Sequence, residues 1–118
     1  NDELFVKILG NETFTLYLVE HILLHPAPTA EQARTLSVVL PCWSEKFYSR
    51  RTVEQLLVER LPAHVSVRFL WLHAEQLYRF EKLYFPWRMA LAAGSAARAE
   101  ALAQLLNEEL TRVIASEV

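Results

Sequence analysis

The hydrophobic positions of this chain repeat first every second residue and later every three to four, and the change of period divides it into predicted elements. Leu4-Phe5-Val6-Lys7-Ile8-Leu9 and Thr13-Phe14-Thr15-Leu16-Tyr17-Leu18-Val19 are rich in β-branched and aromatic residues, which suit a pleated, half-buried surface. Gly10-Asn11 between them is a turn signal, so the pattern predicts a hairpin whose second strand runs on to about Leu24. Pro26-Ala27-Pro28-Thr29-Ala30 then forbids regular structure, because each proline lacks a donor and pushes its predecessor toward extended conformations. Residues 34–40 form the next predicted strand, stopped by Pro41. From Thr52 the period becomes helical through Val53, Leu56, Leu57 and Leu61, with Thr52 and Gln55 at capping-box spacing and Pro62 as the stop. Residues 65–72 alternate again, which places Val65, Val67, Phe69 and Trp71 on one side of a strand. Strand, helix, strand over this distance predicts a crossover, right-handed if its two strands are parallel.

A long helix follows, with Leu77, Phe80, Tyr84, Trp87 and Leu91 in one stripe and Pro86 expected to kink or break it. Gly94 reads as a terminator and Ser95 as the cap of a last helix whose Leu102, Leu105, Leu106, Leu110 and Val113 face a core, with Glu108 and Arg112 as an exposed pair. The fold class expected is α+β: a small mixed sheet of three to four strands, packed with a long helix and a C-terminal helix. At 118 residues this is a single domain. The chain does not start with Met and opens on a strand-like segment, so we expect a piece of a longer polypeptide.

Composition narrows the functional classes. Hydrophobic residues make up 53% of the chain and charged residues 22%, which argues for a packed core, and no apolar run approaches the roughly 18 residues that cross a bilayer. A formal charge of -2 with dispersed basic residues gives no footprint for nucleic acid or an anionic membrane. Cys42 is the only cysteine, which excludes an internal disulfide and the usual multi-thiolate zinc sites and suits a reducing cytoplasm.

The stretch LVEHILLHP raises the question of chemistry, because Glu20, His21 and His25 interrupt an apolar run. On an extended strand, residues 21 and 25 are separated by roughly 13 Å, too far for one metal ion, so His21 is expected to be a buried or edge histidine with a hydrogen-bonding neighbour. Glu20 shares a strand face with Leu16, Leu18, Ile22 and Leu24, while Tyr17, Val19, His21 and Leu23 line the other. Such a strand is covered on both sides, by its own helices or by another chain, and Glu20 is expected to be buried with a partner among Arg68, Arg79, Arg88 and a histidine. Cys42 with His64 is a conceivable nucleophile pair, yet no glycine-rich oxyanion turn accompanies it, and Cys42 fits a small buried hydrophobe better. No cofactor, metal or small-molecule substrate is expected, nor enzymatic turnover. The aromatics, among them Trp43, Trp71, Tyr78, Phe80, Phe85 and Trp87, are more than so small a core needs, and some of them, Trp43, Tyr78 and Phe85 first, are candidate interface anchors.

Four segments, taken in order, resemble a known module: residues 16–24, Ser37-Val38-Val39-Leu40-Pro41-Cys42-Trp43, Leu61-Pro62-Ala63-His64, and Leu70-Trp71-Leu72 with residues 79–87. The module is found in large structural proteins, of baseplate type, in bacterial phage-tail-like contractile injection systems. The resemblance covers most of residues 14–90, and this chain departs from it at His25, where the pattern has a basic residue, at His73, where the pattern has an acidic helix cap, and at Pro86, where the pattern has no proline. It implies no catalytic residues. It implies a scaffold in a cytoplasmic assembly, possible also in a released or membrane-docked particle, whose partners are other protein subunits. It further implies that Pro62, His64, Trp71, Phe80 and Trp87 set the join of crossover helix, strand and long helix. Two alternatives stay open: a metal-dependent hydrolase built on Glu20, His21 and His64, and an adaptor that adds a peptide to a free strand edge, such as that of residues 4–9.

Overall fold

A computed structural model describes residues 16–25, 27–46 and 48–116. In chain order the elements are β1 (Tyr17–Glu20), β2 (Thr35–Pro41), α1 (Arg50–Arg60), β3 (Ser66–Leu72), α2 (Ala74–Ala93) and α3 (Ala96–Ser116), with single 3-10 turns at His21–Leu23, Gln32–Arg34 and Cys42–Lys46. β2 is central, antiparallel to β1 from Tyr17↔Val39 to Glu20↔Leu36, and parallel to β3 from Thr35↔Ser66 to Pro41↔Leu72. Parallel neighbours need a crossover, and α1 supplies it. The chain is therefore α+β with a mixed three-stranded sheet among the described residues. The predicted strand at residues 4–9, and with it the hairpin turn, lies outside those residues.

Strand alternation sends successive side chains to two different cores. Leu16, Leu18, Leu36, Val38, Leu40 and Trp71 pack with Val53 and Leu57 of α1. On the other face Val19, Val39, Leu70 and Leu72 pack with Phe80, Tyr84 and Trp87 of α2 and Leu106 and Leu110 of α3. Both faces of β1 are thus covered by helices of this chain. Leu57, Leu106 and Leu110 are at most 1% exposed, so truncating any one to alanine is expected to cost about 2–5 kcal/mol.

Several local expectations need correction. β1 ends at Glu20, because the chain turns into a 3-10 segment there instead of running on to Leu24. α1 starts at Arg50, and its cap is Ser49, whose hydroxyl accepts from the Thr52 amide at 3.2 Å, so the Thr52–Gln55 box does not form. α2 runs unbroken through Pro86, which has no amide to donate to the Lys82 carbonyl. α3 turns Ala99 and Ala103 inward together with Leu106, Leu110 and Val113, while Leu105 is 48% exposed. Its ion pair is Glu109–Arg112 at 3.3 Å, three residues apart, instead of the expected Glu108–Arg112.

The α2–α3 connection follows the expected chemistry. Gly94 adopts φ 72°, the left-handed region that favours glycine, and its amide bonds Leu91 O at 3.2 Å while Ser95 N bonds Ala90 O at 3.0 Å. At the other end of α2, His73 Nδ1 accepts from Gln76 N at 3.4 Å and Gln76 Oε1 accepts from His73 N at 3.2 Å. This reciprocal pair is a capping box in which a histidine serves as the cap.

Candidate functional site

Where β1 ends beside the start of β2, a cavity of about 250 Å³ opens on the α1 side of the sheet. Leu18, Leu36 and Leu61 contribute apolar wall, and Glu20, Arg34 and His64 contribute polar groups. Glu20 is exposed, contrary to expectation, and among the described residues it makes no ion pair. The reason is that β1 stops at this residue, so the sheet no longer carries Glu20 under a covering helix. Glu20 and His64 therefore do share a site, although they are 44 positions apart in sequence.

His21 belongs to the other face. Its Nε2 lies 2.7 Å from the hydroxyl oxygen of Ser37, a residue with no exposure at the centre of β2. The turn at residues 21–23 also brings the His25 ring to a centroid distance of 6.5 Å, stacked at 26°. The separation expected from strand geometry is wrong because the strand does not continue between them. Burial, then the charge of His25, then that of Arg68 hold the His21 pKa below its ordinary value. The Glu20, His21 and His64 set is thus split, with two members on the cavity and the third bonded on the opposite side of the sheet. Among the described residues no three or more His, Cys, Asp or Glu side chains come together in a group that could hold a metal ion.

Cys42 and His64 are likewise apart. β2 and β3 are parallel and seven residues long, so Cys42, the residue after β2, and His64, two residues before β3, lie at opposite ends of the sheet, roughly 20 Å or more from each other. Cys42 is half-buried and not enclosed, which corrects its description as a buried hydrophobe.

The remaining candidates divide between core and surface. Trp71 pins α1 to the sheet: its indole N–H donates to Glu54 at 2.9 Å, and the Arg50 guanidinium sits 5.3 Å over its ring. Phe80 and Trp87 are fully buried between the sheet and the helical pair. Pro62 and His64 sit exposed in the turn before β3, where Val65 N bonds Pro62 O at 3.1 Å. Trp43, in the turn after β2, is 44% exposed.

An exposed apolar stripe lies on α2. Tyr78, Phe85 and Met89 are 62%, 48% and 71% exposed, and together with Lys82 they fall within about 60° of one another around the helix axis. Alongside, Phe85, Pro86, Met89, Ala90 and Ala93 line a groove of about 440 Å³ toward the start of α3, with Arg98 at its edge. The aromatic excess pointed to Tyr78 and Phe85. Met89 is not aromatic and carries no such signal, but it lies about 40° from Phe85 on the helical wheel, which places it on the same stripe.

Comparison of the chain with models of known protein families finds no match, and comparison with curated proteins finds none either. Among the described residues no helix is long and apolar enough to cross a membrane.

Proposed function

We propose that this is a non-enzymatic structural domain that mediates protein–protein contacts in the baseplate of a phage-tail-like contractile injection system, in an assembly built in the bacterial cytoplasm. The observation that carries the reading is the exposed stripe of Tyr78, Phe85 and Met89 on a helix whose opposite face is fully used in the core. Isolated apolar side chains on a surface need no explanation, whereas an aligned set beside an apolar groove is the composition of a docking surface. The order of the four resembling segments supplies the injection-system context.

Met89 is the only methionine, which makes the test simple. Oxidative footprinting of the free chain and of the assembled particle should show Met89 oxidised readily in the first and protected several-fold in the second. Equal oxidation in both would overturn the reading.

One observation favours a second reading, a peptide-binding adaptor. Among the described residues β3 pairs on one side only, with β2, so its outer backbone groups are placed to add a strand. A bound extended peptide would slow amide exchange along residues 66–72 and leave Met89 oxidation unchanged.

A further inference from the structure

The docking surface on α2 has a charge character that the whole chain lacks. Fourteen acidic residues outnumber twelve Lys and Arg overall, yet from Lys82 to Ala99 there is no Asp or Glu, and Lys82, Arg88 and Arg98 are all present and exposed. Among the described residues none of these three makes an ion pair. Lys82 lies 5.1 Å over the Tyr78 ring and Arg88 5.9 Å over the Trp87 ring, while Arg98 stands at the edge of the groove. The groove is lined mainly by apolar groups, with Arg98 the one cation among its lining residues, while Lys82 lies in line with the Phe85–Met89 stripe and Arg88 flanks that stripe on its other side.

We propose that this groove docks an acidic amphipathic helix of a partner protein, with apolar side chains of the partner against Phe85 and Met89 and its carboxylates toward Lys82, Arg88 and Arg98. The proposal rests on the docking role argued above and assigns the chemistry of the partner. A helix is favoured because the stripe from Tyr78 to Ala93 runs along one unbroken helix for about 22 Å, which matches roughly four turns of a partner helix. A lipid surface is the poorer match, since the feature is a trough between two helices and three cations are fewer than a polybasic membrane site carries. Complementary charge at the rim sets orientation and association rate, and the apolar contact supplies the affinity.

The test uses the full chain and a fluorescent helical peptide of about 16 residues, leucine on one face and glutamate on the other. Anisotropy titration should give saturable binding that weakens several-fold as salt rises from about 50 to about 300 mM. Met89→Glu should weaken it by about tenfold, with the fold checked by circular dichroism. The same peptide with lysine in place of glutamate should bind poorly to the natural chain and gain affinity for a Lys82→Glu, Arg98→Glu double variant. That charge swap cannot arise from misfolding.

Equal binding of both peptides, or binding indifferent to Met89→Glu, overturns the proposal. So does tight binding to phosphatidylserine vesicles that Met89→Glu abolishes, which would assign the groove to membrane, or a concentration-dependent dimer lost in that variant, which would assign it to a second copy. Met89 protected in the particle together with no acidic-peptide binding would sink the partner chemistry alone. Met89 unprotected in the particle would sink the docking role beneath it.

Discussion

His21 and Ser37 form a polar contact of 2.7 Å between a half-buried imidazole and a hydroxyl with no exposure, at the point where β1 gives way to a turn. The contact ties the entrance of that turn to β2, and it does so with a group whose pKa the fold holds below its ordinary value.

The first prediction follows from that group. The fold holds the His21 pKa below its ordinary 6.5, chiefly by burial, so the folded chain prefers the neutral ring. The unfolded chain takes up the proton first, so stability is complete above about pH 7.5 and declines as the pH falls through 6.5 toward the lower folded value. Thermal melts at intervals from about pH 8 to about pH 5 should show this fall, and His21→Asn should flatten it. An unchanged slope in the variant would assign the titration to another group.

A second prediction compares two tryptophans. Trp87 is more deeply buried than Trp71, at 0% against 7% exposed. Its indole nitrogen has no hydrogen-bond partner among the described residues, whereas that of Trp71 bonds Glu54. A buried unsatisfied donor costs about 1–3 kcal/mol, which W87F relieves, while W71F removes a made bond; the arginine contact over each ring, Arg88 on Trp87 and Arg50 on Trp71, is weakened in both variants. Urea unfolding should therefore rank W71F as the more damaging, the reverse of what burial alone predicts.

Pro86 gives a third. The backbone at this position is already helical, so Pro86→Ala restores a donor to the Lys82 carbonyl and removes ring crowding, against a small loss of stiffness in the unfolded chain. A stability gain of about 1–2 kcal/mol is expected, read as a higher urea midpoint at constant slope.

The fourth concerns Gly94. A Cβ there would meet no atom within 4 Å, so any penalty in Gly94→Ala is purely conformational, from φ 72°. The expected loss is about 1–2 kcal/mol, and Gly94→Asn should recover part of it because asparagine tolerates the left-handed region.

Element type was legible wherever a single period persisted. Leu77, Phe80, Tyr84 and Trp87 announced the buried face of α2, because burial on one side leaves a periodic trace; the alternation of Val67, Phe69 and Trp71 announced β3 as a strand, although Leu70 and Leu72 on its other face are buried as well. The end of β1 was not legible, since Ile22 and Leu23 are apolar yet more than a third exposed, and an apolar run reads as continued strand. That one boundary decided the candidate site: it left Glu20 in solvent, joined it to the cavity of His64, and brought His25 to His21. Ser37 left no signal, because a serine in an apolar strand reads as neutral until its partner is known. The caps at Ser49 and His73 depend on backbone turns of one or two residues, which is within the ordinary spread of helix boundaries.

The sheet and the helical pair also differ in how far apart their partners lie along the chain. Every β2–β3 pair joins residues 31 positions apart, as Thr35 with Ser66, whereas α2 and α3 meet through Gly94 and Ser95 alone. Local contacts form faster than distant ones, so the helical hairpin is expected to assemble before the sheet closes on it. Until then the sheet-facing part of α2, with Phe80 and Trp87, lacks its cover of strands on the side opposite the Phe85–Met89 stripe, and the young hairpin presents two greasy sides to its surroundings. Slow closure of the sheet then becomes the interval in which this chain is most prone to aggregate.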